Sequence, residues 1–113
     1  AMQLFRESDQ LKASLDAKTA LAWLLATAPS PDVRDGSLAV VYGEGAIALA
    51  PRNPRVLDAL AAALASTGRF DAAVQRAREA LDALGSSPDP AFAAAVSARL
   101  RLYQSQQPFV SVR

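Results

Sequence analysis

Small residues recur along this chain at one fixed distance. Ala39, Gly43, Ala46 and Pro51 are each followed 34 residues later by Ala73, Ala77, Ala80 and Gly85. A fixed period in this range marks a supersecondary unit that stacks on its neighbours to bury a continuous core. The repeated positions are small because helices packed on one another approach closely only where the side chains between them are short. A second set, Leu21-Ala22 and Leu60-Ala61, is offset by 39 residues. The difference places five additional residues in the inter-helix loop of the first unit, within Pro29 to Arg34. Closure entropy grows slowly with loop length, so the register of both helix pairs survives the insertion.

The better formed unit is Asn53–Gly85, which reads as two amphipathic helices joined at Thr67-Gly68-Arg69. Asn53 is placed as N-cap with Pro54 at the first helical position, and Gly68 supplies the left-handed residue that ends the first helix. Asp71 suits the positive end of the second helix. With Leu57, Leu60-Ala61, Leu64, Gly68, Phe70, Ala73, Ala77 and Ala80 in order, the stretch resembles a complete tetratricopeptide repeat. Residues 16–52 resemble a second one through Ala22, Ala39, Gly43 and Ala46. The large aromatics of the pattern are missing: Lys18 and Leu57 stand where Trp is usual, and Leu25 and Leu64 where Tyr is usual. The resemblance implies an all-α chain of antiparallel helix–turn–helix repeats. They would form a short right-handed superhelix with a C-terminal capping helix, of the kind that ends bacterial arrays.

Taken in order, residues 2–15 carry helical spacing and read either as the second helix of a preceding, truncated repeat or as a helix covering the first full one. A new helix is expected from Asp16, as N-cap, to Ala28, with Leu21, Ala22, Leu24 and Leu25 as its buried stripe. The next, capped by Asp35 or Ser37, runs to Ala50. The last unit, 89–106, places Phe92, Val96, Leu100 and Tyr103 on one face with Arg99 and Arg101 flanking it. Residues 107–113 form a tail in which Pro108-Phe109-Val110 is expected to dock and not to be helical. Ala1, ahead of Met2, is set aside, and an upstream domain, a signal peptide or a membrane segment stays open as what would precede it.

Composition narrows function mainly by exclusion. There is no His and no Cys, and no Ser beside a plausible base, so catalysis, metal binding and cofactors find no support. Net charge is +1 without a basic cluster, which speaks against nucleic acid. No apolar run approaches the roughly 20 residues needed to span a bilayer. Tyr42-Gly43-Glu44-Gly45 lacks the strand and glycine pattern of a phosphate loop, and close helix packing at Gly43 accounts for it better.

The resemblance implies a scaffold module, in the bacterial cytoplasm or in the soluble part of an anchored or exported protein. It would grip a protein or peptide segment in a concave groove lined by first helices. On that face fall Thr19, Trp23 and Thr27 from the first repeat and Arg55, Asp58, Ala62 and Ser66 from the second. Trp23 would be the anchor, unless the N-terminal helix or the tail covers it. Asp32, Arg34 and Asp35 in the inserted loop are explained by turn and cap roles. Two alternatives stand beside the groove: a homodimer through Phe5, Leu11, Phe92 and Tyr103, and a C-terminal appendage of a larger enzyme.

Overall fold

A computed structural model describes residues 2–30, 32–85 and 89–110, with side chains from Ala13 onward. Among these residues the chain is all-helical. Its elements in order are α1 (Met2–Thr27), α2 (Gly36–Leu49), α3 (Pro54–Ser66), α4 (Phe70–Leu84) and α5 (Pro90–Gln104). Each helix packs on the next along the order α1, α2, α3, α4, α5, and α1 also packs directly on α3.

The helix ends follow local chemistry. Asp35, and not Ser37, caps α2, its side chain accepting from the Leu38 N–H at 3.1 Å. Asn53 caps α3 by accepting from the Arg55 N–H at 2.9 Å, with Pro54 next. At the other end of α3 the Arg69 and Gly68 N–H groups donate to the carbonyls of Leu64 and Ala65, at 3.0 Å each. This is the two-bond closure that needs a left-handed residue, and Gly68 provides it at φ +85°. Eight residues, 28–35, separate α1 from α2, against three, 67–69, between α3 and α4.

The small positions do what their recurrence implies. Ala22, Ala39, Gly43, Ala46, Ala61, Ala73, Ala77 and Ala80 are all buried. At Gly43 the approach is close: a Cβ built there would lie 3.0 Å from the Leu60 Cδ1 and 3.3 Å from the Leu60 Cα. Leu57, standing where the repeat pattern has Trp, is fully buried. The Lys18 methylenes lie against Gly45, where a Cβ would meet them at 3.4 and 3.6 Å. A lysine stem can thus cover apolar surface at a position the pattern gives to an aromatic.

Three expectations need correction. Asp16 is not an N-cap, because α1 runs unbroken from Met2 to Thr27; nothing between Ala13 and Lys18 breaks a helix, and a single Asp does not do so where Ala and Leu surround it. The stripe of α1 is Ala22 and Ala26, whereas Leu21 and Leu24 are 37% and 51% exposed. α2 and α3 pack on α1 and on each other, and these two leucines fall on the part of α1 that neither covers. Arg99 does not flank the packed face of α5 but lies within it, buried between Val96 and Tyr103.

Candidate functional site

α1 and α3 run side by side in the same direction, since Asp16 and Thr19 share a cleft with Asn53 and Arg55 while Ala26 and Ser66 line a hollow at the other end. The cleft is about 370 Å³ and is lined by α1 (Leu15, Thr19, Trp23), α3 (Arg55, Asp58) and Phe92 of α5, among others. Four of the groove residues expected from sequence, Thr19, Trp23, Arg55 and Asp58, are therefore brought together. Arg55 is exposed and holds its guanidinium carbon 4.6 Å from the centre of the Phe92 ring. Its ion pair with Asp89 is loose, at 3.8 Å between solvated groups, and contributes little.

The remaining three lie elsewhere. Ala62 is in the core, at 1% exposure, and Thr27 is buried at the same value. Ser66 is half-buried, beside the hollow near Pro108. The hydroxyls are committed to their own helices: Thr19 donates to the Leu15 carbonyl at 2.7 Å, Thr27 to Trp23 at 2.7 Å and Ser66 to Ala63 at 2.6 Å. Each closes a bond back along its own helix, leaving acceptor lone pairs but no free donor for a partner.

Asp58 is spent as well. Arg99 reaches from α5 and donates from Nε to one carboxylate oxygen at 2.9 Å and from Nη2 to the other at 2.8 Å. Both side chains are buried, and the bidentate fork is the strongest geometry available to such a pair. Burial pushes the Asp58 carboxyl above its ordinary value, while the hydrogen bonds and charge of Arg99, and at longer range Arg55, oppose the shift. The same guanidinium lies against two rings, 4.9 Å from the Trp23 centre and 5.3 Å from that of Phe109. Trp23 and Phe109 in turn pack with ring centres 5.6 Å apart, tilted by 36°.

The tail therefore docks on Trp23 and completes an aromatic–cation cluster with Arg99. Next to it, Tyr103 is buried, and its hydroxyl finds no hydrogen-bond partner among the described residues. Burial raises the phenol's pKa above its usual value, with the Asp58 carboxylate adding to the shift and Arg99 opposing it.

Sequence reasoning missed Arg99. The signal was present, because Val96, Arg99 and Tyr103 are spaced i, i+3, i+7 on one stripe, and an arginine on an apolar stripe calls for a buried acid. Asp58 on α3 was the matching anomaly. Of the residues named for a homodimer, Tyr103 is buried and Phe92 is half-buried in the cleft, while the side chains of Phe5 and Leu11 lie outside the described residues. Asp35 serves as the cap described above, Asp32 is exposed in the loop, and Arg34 faces the hollow near Pro108. No protein-family profile, curated protein or solved structure matches this chain.

Proposed function

We propose that this chain is a non-catalytic binding module, built as tetratricopeptide-type helix–turn–helix repeats, that holds a short protein or peptide segment in the α1–α3–α5 cleft. The observation that carries the reading is the convergence in one cleft of the two helices whose sequences align as first helices of successive repeats. The cleft combines apolar walls (Leu15, Val56, Phe92) with one solvated cation, Arg55, and one exposed acid, Asp16. Its size suits an apolar anchor residue flanked by charge, as expected of a peptide site with a few placed polar groups. Panning a random-peptide display library on the folded protein is expected to recover peptides that lose at least tenfold in affinity against Arg55→Glu and against Thr19→Arg, which fills the cleft. Peptides that bind both variants as well as the parent would place recognition elsewhere and end this reading.

A second reading, self-association, is favoured by one specific face. Among the described residues, every exposed large hydrophobic lies on α1, α2 or their loop: Leu21, Leu24, Val33, Leu38, Val41 and Leu49, at 37% to 63% exposure. Lys18 beside Gly45 sets the antiparallel register, so Leu21 falls near Val41 and Leu24 near Leu38. The only charged residue in α2 is Glu44, an unusual composition for a solvated helix. An apolar face is buried only against another, and α4 and α5 expose none among the described residues. The complement this chain offers is a second copy, paired through the same face. Sedimentation should show a dimer whose dissociation constant rises at least tenfold in Val41→Glu. A monomer mass at every concentration removes this reading.

A further inference from the structure

Beyond the cleft, the same face is filled from within the chain. Two residues past the end of α5, Gln106 sits at φ +58° in the left-handed region, which a residue other than glycine rarely adopts. The turn is closed by the Gln107 N–H donating to the Leu102 carbonyl at 2.9 Å and the Gln106 N–H to Tyr103 at 3.0 Å. This reversal sends the tail back over α1. Pro108 lines a hollow of about 300 Å³ with Ala26, Arg34, Gly36 and Ser66. Phe109, one residue on, sets its ring against Trp23 and Arg99.

The receiving surface does not depend on the tail for its geometry. Arg99 is fixed by both of its hydrogen bonds to Asp58, and Trp23 is carried in the last turns of α1. A fixed guanidinium beside an indole makes a platform for a third flat group, which gains from both cation–π and ring–ring contact. A proline just before that group holds the approaching chain extended at low entropic cost.

We infer that Trp23 and Arg99 form a second binding site on this face, for an extended segment with an aromatic residue after a proline, and that Pro108–Phe109 is its resident occupant. A partner segment of the same chemistry binds there by displacing the tail. The inference rests on the groove reading above, because the site is the continuation of that cleft along α1 and α3. The tail is a strong competitor, since tethering gives it an effective concentration of about millimolar or more.

The probe is a labelled peptide of residues Ser105 to Arg113, added to the intact 113-residue chain. The parent chain should bind it weakly. Phe109→Ala, whose own tail cannot seat, should bind it at least tenfold more tightly. Pro108→Gly, which leaves the packed aromatic in place and only loosens the tail, should gain a smaller factor. The same peptide with its Phe replaced by Ala should bind none of the three. Trp23 is the only tryptophan, so its emission should shift to the red in Phe109→Ala and return when the peptide is added. Equal affinity for parent and both variants, or an unchanged emission, overturns the inference. Should the tail peptide bind Phe109→Ala while no library peptide depends on Arg55 and Thr19, only the cleft reading fails. The converse result removes only the second site.

Discussion

Replacing Arg99 by Met is expected to destabilise the fold by about 3–5 kcal/mol at neutral pH, because a buried carboxylate loses the partner that makes its burial tolerable. Met keeps much of the aliphatic volume, so the loss reports the charge and not a cavity. Asp58 is 4% exposed and accepts two hydrogen bonds from the guanidinium. Burial raises its carboxyl pKa, and Arg99 is the main influence holding it down. With Arg99 gone, the folded pKa climbs further above the unfolded value of about 3.9. An acid whose folded pKa exceeds its unfolded one takes up a proton on folding. The penalty is therefore complete above the folded pKa and is relieved as pH falls through it toward the unfolded value.

Urea midpoints of Arg99→Met should accordingly approach those of the parent as pH is lowered from 7 toward 4. A deficit that is the same at every pH would mean that Asp58 is not the ionised partner. Asp58→Leu combined with Arg99→Met should recover most of the loss, since well-packed apolar groups replace buried ion pairs at little or no cost. Arg99→Lys should recover less, because an ammonium can neither form the fork nor lie flat against Trp23 and Phe109.

What the sequence disclosed follows from how each feature is encoded. Caps and turns are local, so Asn53, Pro54 and Gly68 could be placed from a few residues of context and the cap of α2 narrowed to Asp35 or Ser37. The small-residue period is a pattern repeated within the chain, so the burial of Ala39, Gly43 and Ala46 with Ala73, Ala77 and Ala80 was legible from the recurrence alone. The length of α1 was not, because Asp16 has the side chain of a cap and only the absence of a nearby breaker decides against it. The outer position of Leu21 and Leu24 depends on which neighbours flank α1, and periodicity alone does not carry that information.

The site was legible in half. Thr19 with Trp23, and Arg55 with Asp58, share a helix face by their i, i+4 and i, i+3 spacing, and the two pairs line one cleft because α1 packs on α3. The coverage of Asp58 by α5 depends on a contact across 41 residues, Arg99 to Asp58. A long-range pair between two opposite charges leaves no periodic trace. Its only sign is a charge on a stripe that should be apolar.

Leu60→Ala is the second large effect, expected to cost about 2–5 kcal/mol as a truncation at a site only 2% exposed. Its value lies in what it does to Gly43. A Cβ on Gly43 would lie 3.0 Å from the Leu60 Cδ1, 3.3 Å from its Cα and 3.5 Å from its Cβ. Alanine gains about 1 kcal/mol over glycine inside a helix, but Leu60 is only 2% exposed and packed in the core, so its Cδ1 has no free space to move into. In the parent, Gly43→Ala should therefore be a net loss of about 1 kcal/mol, with overcrowding outweighing propensity. On the Leu60→Ala background the closest contact is gone and the new methyl enters the space left behind. The same substitution should then be neutral or stabilising, a coupling of about 1 kcal/mol or more between the two sites. Gly45→Ala is the internal control. In the same helix its Cβ would meet only Lys18 methylenes at 3.4 and 3.6 Å, an ordinary contact, so the propensity gain of about 0.5–1 kcal/mol should appear undiminished. Urea denaturation of the parent, both single variants, the double variant and the control measures all of these. Additivity of Gly43→Ala and Leu60→Ala would show that the glycine is not there to let α2 close on α3, and the packing reason given for the 34-residue recurrence would fail at its most direct test.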